Sequence, residues 1–290
     1  MRILTKILAR AVLSALVGSL SLAVCCPAQQ APSASGARIL LLPRKLVTGE
    51  RATLAVLDVG GKLTPGVNIL FSNGDKITTD ATGRALFVAP LNAGTLSASI
   101  EGRSGRVTSL ILAPTDAPAS LLEVTAVPRV ASLSDRMEMI GHGFCGDADA
   151  NRVTIGGTPA LVLASSPAYL AVLPPDREPG PVTVQVQCGQ KTSAPFTVVF
   201  VNLDLEAKTT TLAPGEQGTL QVAIAGSTGK IGLEARNLAP EVADLKGGTV
   251  VRAISTGGKD NIATFELVGK QKGSFVISIR LLAPFGPPRP

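Results

Sequence analysis

Apolar residues recur at every second position through much of this chain. The alternation is strict in Val182-Thr183-Val184-Gln185-Val186-Gln187, in Thr95-Leu96-Ser97-Ala98-Ser99-Ile100 and in Thr219-Leu220-Gln221-Val222. A period of two puts one face of an extended strand on a core and leaves the other in water. No segment lengthens into a helical period, and Gly, Pro and Asn-Gly punctuate the runs. The pattern predicts an all-β chain of small two-layered sandwiches. In the first, about 38–113, strands are expected at 38–42, 51–57, 67–72, 84–88, 95–100 and 107–112, with turns at Asn73-Gly74-Asp75, Pro65-Gly66 and Thr82-Gly83. In the second, about 118–201, a strand runs from Met137 into Gly141, followed by 153–160 and 182–187. In the third, about 202–283, strands are expected at 218–225, 230–236, 249–254, 263–267 and 274–281. A short helix over 233–245 is the alternative there; Asn237 and Pro240 favour a strand followed by a loop.

The joints differ in character. Pro114-Thr115-Asp116-Ala117-Pro118 separates the first sandwich from the second, whereas the second and third meet near Val201-Asn202 with almost no linker, as semi-rigid beads. The Pro-rich tail at 284–290 reads as extended or disordered. At the other end, 1–28 has the make-up of a cleaved export signal: Arg2, Lys6 and Arg10, an apolar run from Ala11 to Val24, then Cys26-Pro27-Ala28, with 29–37 as a linker. Leu22-Ala23-Val24-Cys25 also resembles a lipobox, with a bulky Val24 where that motif takes a small residue; processing there would put a lipid anchor on Cys25. The net charge of +6 includes three positive charges in the leader, so the mature chain keeps +3. With basic residues scattered, one Tyr and no Trp, nucleic-acid binding is a poor fit. Of 4 cysteines, Cys25 and Cys26 fall in the leader. The remaining Cys145 and Cys188 suggest one disulfide in an exported chain, which would add on the order of 4 kcal/mol by loop closure. Two separately buried thiols are the alternative; two cysteines and one histidine do not complete a zinc site.

Candidate chemistry concentrates in one loop and dissolves on inspection. Gly141-His142-Gly143-Phe144-Cys145-Gly146 has the spacing of a dinucleotide fingerprint, but the helix that receives the pyrophosphate is missing; the plainer reading is a sandwich turn with Phe144 plugging the core. Asp147, Asp149 and Asn151 have the one-three-five spacing of a calcium loop, yet Arg152 and Thr158 stand where that loop needs Gly and Glu. A weak calcium site shared with a neighbouring loop and a solvated acidic turn are the two readings. His142 is the only histidine, and no Gly-x-Ser-x-Gly elbow accompanies it. Gly226-Ser227-Thr228-Gly229-Lys230 is not a phosphate loop. No cofactor is implied. Glycan binding stays open, although Tyr169 and 8 Phe are the only aromatic residues available as platforms.

Three family resemblances follow. Ala52-Thr53-Leu54, Pro65-Gly66-Val67-Asn68-Ile69-Leu70-Phe71-Ser72 and Thr79-Asp80-Ala81-Thr82-Gly83-Arg84-Ala85 resemble the bacterial immunoglobulin-like repeats of intimin and invasin type. Gly141-His142-Gly143-Phe144, Val153-Thr154-Ile155-Gly156-Gly157-Thr158-Pro159-Ala160, Leu173-Pro174-Pro175 and Gly180-Pro181-Val182-Thr183-Val184 resemble an IPT/TIG domain, though its usual Pro-then-Ser/Gly opening is here Pro128-Arg129-Val130-Ala131-Ser132-Leu133-Ser134. Leu212-Ala213-Pro214-Gly215-Glu216 and Lys272-Gly273-Ser274-Phe275-Val276-Ile277-Ser278-Ile279 resemble the bacterial immunoglobulin-like modules that follow such domains. The resemblances imply three tandem immunoglobulin-like β-sandwiches and a role in adhesion or surface assembly. The expected function is that of an exported, non-enzymatic spacer, adhesive or protein-interaction element at the bacterial cell envelope, periplasmic, cell-surface or extracellular; a glycan-binding module is the alternative. The binding surface is expected to be loops at one sandwich end or an exposed sheet edge extended by a partner strand; loops 144–152 and 174–180 are the expected contact loops, with Phe144, Asp147, Asp149, Arg152, Asp176, Arg177 and Glu178 as contact residues.

Overall fold

A computed structural model describes residues 38–114, 121–207, 211–247, 250–254 and 261–290. The expected export signal 1–28, Cys25, the linker 29–37 and most of the junction at 114–118 lie outside those residues. Among the described residues no helix is long and apolar enough to cross a membrane.

The chain is all-β, with only a single 3-10 turn at Ala148–Ala150 among the described residues. The N-terminal block comprises β1 (Arg38–Leu41), β2 (Lys45–Val47), β3 (Arg51–Asp58), β4 (Asn68–Phe71), β5 (Lys76–Thr78), β6 (Arg84–Val88), β7 (Gly94–Ile100) and β8 (Arg106–Leu112). One sheet is β1-β3-β6; the other is β2-β8-β7-β4-β5, in which β2 lies parallel to β8. Between them Leu46, Leu54, Val56, Ile69, Leu96 and Ala98 form a core, as the alternation demands. Gly83 closes the turn into β6 at φ +77, where a Cβ would stand 2.5 Å from the Thr64 amide nitrogen, so no other residue fits.

The central block comprises β9 (Glu123–Pro128), β10 (Val130–Ser132), β11 (Met137–His142), β12 (Asn151–Ile155), β13 (Thr158–Ser166), β14 (Tyr169–Leu173), β15 (Gly180–Cys188), β16 (Lys191–Thr192) and β17 (Phe196–Ala207). Strand β13 serves both sheets: its start pairs with β12 and, from Leu161 on, it pairs with β14, with a bulge between Val162 and Ala164. One sheet is therefore β9-β11-β14-β13 and the other β13-β12-β15-β17, with β10 parallel to β17. Met137, Met139, Ile155, Val184, Val186, Val198 and Phe200 fill the space between them.

The C-terminal block adds β18 (Gln217–Ala225), β19 (Lys230–Asn237), β20 (Ala243–Lys246), β21 (Val250–Ile254), β22 (Ile262–Gly269), β23 (Ile277–Leu282) and β24 (Phe285–Gly286). Its sheets are β17-β18-β22-β20 and β21-β19-β23, around a cluster with Val222, Ile224, Leu233 and Phe265 at its centre. Residues 233–245 are strand, turn and strand, as Asn237 and Pro240 favour.

The two joints are built differently. β17 runs without a break from the central block into the C-terminal one, pairing with β15 through Phe200 and with β18 from Asn202 onward. The N-terminal and central blocks meet face to face. Leu41, Ala55 and Leu57 pack on Leu163, Ala164, Tyr169 and Ala171 in a cluster of their own, and Thr53 pairs with Ser165. The tail at 284–290, read from sequence as extended or disordered, is extended. Phe285 and Gly286 pair with β9, and the Thr197 amide donates to the Arg289 carbonyl at 2.7 Å. Proline removes donors but favours extended backbone and leaves carbonyls free, which suits pairing along a sheet edge.

Candidate interaction surface

The loop between β11 and β12 begins at Phe144, which is 4% exposed and belongs to the central core. Its ring is packed in the core, so it is a plug and not an exposed contact residue. The next residue, Cys145, is disulfide-bonded to Cys188 at the end of β15, with Cα atoms 5.6 Å apart. The bond ties the loop to the strand that pairs with β12, where Asn151 lies opposite Cys188.

Asp147, Asp149 and Asn151 do not converge on a cation. The Asp147 carboxylate accepts the Asp149 amide at 3.0 Å and caps the 3-10 turn. Asp149 is paired at 2.7 Å with Arg84 of the N-terminal block. The Asn151 side chain is spent on backbone, donating to the carbonyls of Cys145 and Asp147 and accepting the Cys145 amide. Each side chain is engaged in a different direction, and among the described residues no group of three His, Cys, Asp or Glu side chains is placed to hold a metal ion.

What occupies this loop is the first block. Thr53 donates its hydroxyl to the Gly146 carbonyl at 2.9 Å and accepts the Ala148 amide at 3.0 Å. A Cβ on Gly146 would sit 1.9 Å from the Arg51 carbonyl oxygen, so glycine permits this approach of backbone to backbone. Buried Arg84 donates to the Val162 carbonyl at 3.1 Å on the same face. The lower rim holds a charge cluster that sequence reasoning missed. Arg44 grips Glu138 through both carboxylate oxygens, at 2.6 and 3.3 Å, and Arg136 stands 3.6 Å from the same carboxylate. Tyr169 is hydrogen-bonded to Glu138; burial pushes its hydroxyl well above the ordinary value and the carboxylate pushes it further. The one available signal was the pair of runs Ala52 to Leu57 and Leu161 to Ser166, in which too few alternate positions are strongly polar for a solvated face.

Loop 174–180 lies at the opposite end of β12. Arg177 folds back to donate to the Ile155 carbonyl at 3.0 Å, while Asp176 and Glu178 are exposed. Arg152 is exposed on β12 itself. The two expected contact loops therefore do not form one surface. His142, half-buried at the end of β11, lines a cleft of about 670 Å³ with Lys45, Glu50 and Lys191.

Residues 126–200 match the family model of the IPT/TIG domain. The central block is an IPT/TIG domain. The match begins within β9 and ends within β17, so the IPT/TIG domain carries the disulfide, the loop occupied by Thr53, and exposed Asp176 and Glu178. No curated protein matches the chain. Similar solved structures include invasin, a bacterial integrin-binding protein, at 18% identity over 87% of this chain and 59% of that one, with a TM-score of 0.22. The Escherichia coli adhesin FdeC is 14% identical over 87% of this chain and 94% of its own, with a TM-score of 0.24. The Bacteroides ovatus protein SGBP-B, solved with a mixed-linkage heptasaccharide, is 14% identical over 82% and 74%, with a TM-score of 0.29. The chain thus spans about 59% of the length of invasin. At these identities and TM-scores the likenesses carry no argument about ligand or partner.

Proposed function

We propose that the protein is an exported, non-enzymatic chain of three immunoglobulin-like modules that works as a stiff spacer and protein-interaction element at the bacterial cell envelope, whether periplasmic, cell-surface or extracellular. The observation that carries this reading is the treatment of the two joints. One is a shared apolar face reinforced by Arg44 with Glu138 and by Arg84 with Asp149; the other is a single unbroken strand. A spacer needs fixed relative placement, and joints of this kind remove the hinge that a flexible linker supplies. The Cys145–Cys188 bond and the leader-like 1–28 favour an oxidising destination. The glycan alternative loses support because Tyr169 is buried between blocks and most phenylalanines are in cores, which leaves Phe285 as the one strongly exposed ring among the described residues. Arg152, Asp176 and Glu178 are the members of the expected contact set left exposed and uncommitted to packing within the chain.

Spin labels at exposed Leu91 and Leu238, read by pulsed dipolar spectroscopy, should give one narrow distance distribution. A broad one would remove the stiff spacer. Export is checked separately: cell fractionation with thiol alkylation should find the disulfide-bonded chain outside the cytoplasm, and a reduced cytoplasmic pool would refute it.

A further inference from the structure

In the N-terminal block, β7 is held on both sides, by β4 and by β8. In the central block, β15 is held likewise by β12 and by β17. The corresponding strand of the C-terminal block, β23, pairs with β19 alone, and among the described residues nothing pairs with its other side. In the first two blocks the chain supplies the flanking strand soon after; here it turns away at Ala283 and lays Phe285 and Gly286 against β9. The burial follows. Leu96, Ala98, Val184 and Val186 are buried, while Ile277, Ile279 and Leu281 of β23 are only half-buried and Leu205, across the opening on β17, is 47% exposed. A groove of about 620 Å³ opens at the start of β23, lined by Leu205, Leu212, Leu220, Leu267, Phe275 and Ile277.

We propose that this edge receives an extended strand from a partner protein, antiparallel to β23, with alternate apolar side chains filling the groove. The chain itself shows the occupant's chemistry: in the equivalent place of the central block Phe196, Val198 and Phe200 point inward from a strand antiparallel to β15. The strand comes from another protein rather than a second copy. Joining two β23 edges would lengthen the sheet yet leave both grooves unfilled, because the apolar side chains of β23 already face their own core. The alternating strands of this chain that resemble such a donor, β8 and β17, are already paired. Segments 115–120 and 255–260 are small and polar in sequence, and Pro284, Pro287, Pro288 and Pro290 lack amide hydrogens. The occupant is therefore a segment without a fold of its own, ordered on binding. Exposed Lys272 at the groove favours a carboxylate beside its apolar positions. The proposal goes beyond the spacer reading and does not depend on export.

The probe is a fluorescein-labelled peptide with the sequence of residues 195–201 and two added aspartates for solubility. Titrated with the full chain, it should give saturable anisotropy, and amide exchange in β23 should slow by about tenfold or more, while a peptide of the same composition with the alternation scrambled should not bind. Ile279→Asp, checked for folding by circular dichroism, should weaken binding by about tenfold or more. A second variant, with the same strand joined after Pro290 through a flexible linker, should protect β23 and abolish binding of the free peptide. If neither the free nor the fused strand changes exchange in β23, the proposal is wrong. It is equally overturned if the unmodified chain sediments as a dimer with β23 already protected.

Discussion

Asp80 organises the turn that leads into β6 with one carboxylate. It accepts the Thr82 amide at 2.7 Å, the Thr82 hydroxyl at 2.6 Å and the Arg84 amide at 3.2 Å. The Thr82 hydroxyl is the main reason its acidity is raised, partly opposed by burial, with the backbone amides and the Arg84 charge helping; the carboxyl is held below its ordinary value of 3.8. A pKa lower in the folded chain than in the unfolded one adds stability that is present above the unfolded value and is lost as pH falls through the folded one. Thermal unfolding between neutral pH and about pH 2 should therefore find Asp80→Asn less stable than the native chain at pH 7 and converging on it as pH falls through the lowered folded value. Parallel curves over that whole range would show that the turn does not depend on the charge. Arg84, two residues into the same turn, reaches the central domain, so this local arrangement also positions one of the two guanidinium contacts between blocks.

At the scale of elements, the disulfide and Gly146 govern how β11 hands over to β12. Cys145 and Cys188 are separated by 43 positions, and opening that loop in the unfolded chain should cost about 4 kcal/mol of stability on the chain-entropy account. Urea unfolding of Cys145→Ser/Cys188→Ser should show the loss, and an unchanged midpoint would mean that the unfolded chain is already constrained. Gly146→Ala tests the other side of the loop. Its methyl would meet the Arg51 carbonyl, so the loop must withdraw from Thr53, leaving the Ala148 amide without its acceptor and the Gly146 carbonyl with the Ser165 hydroxyl alone, for roughly 2 kcal/mol. Hydrogen exchange should locate the change at Ala148 and β3 together; an effect confined to the central domain would refute the coupling. These elements also mark what was legible. The expected strands and the turns at Gly74 and Gly83 follow from local pattern, because period two and turn chemistry are properties of neighbours in sequence; the strands at Lys45–Val47, Tyr169–Leu173 and Phe196–Ala207 were not foreseen, and the cysteine pair rested on count and compartment. The fate of the 144–152 loop was not legible, since Phe144, Asp149 and Gly146 are claimed by residues dozens of positions away. β3 reads as an ordinary strand whose outer face carries Thr53 and Ala55, and nothing local says that a second sheet covers them. The open side of β23 was hidden for the same reason: a strand's pattern records which face is buried and not whether its edge has a neighbour.

Across the whole described unit, the shared face should make the N-terminal block and the IPT/TIG domain one cooperative body. Leu41, Leu57, Leu163 and Tyr169 are each nearly buried there, and a large apolar side chain removed from water is worth about 1.5–3 kcal/mol, so separating the faces would expose several kcal/mol of apolar surface. Transient opening of β6 should then be as rare as opening of β14, although they belong to different cores. Native-state hydrogen exchange should return opening free energies for the two strands that agree within about 1 kcal/mol. Ala171→Glu separates coupling from ordinary core stability. Ala171 is 1% exposed and faces the N-terminal block rather than the central core, and Glu138 lies directly opposite it on β11. The added carboxylate would be buried without a cation of its own, beside a like charge already claimed by Arg44, so the two faces must part for it to reach water. Exchange in β6 should accelerate toward that of an isolated block while the Met139 and Val184 amides in the central core keep more of their protection. If β6 and β14 already open independently in the native chain, or if the substitution melts the central core first, the blocks are neighbours in contact rather than a single body, and the stiffness assigned to this joint has no energetic basis.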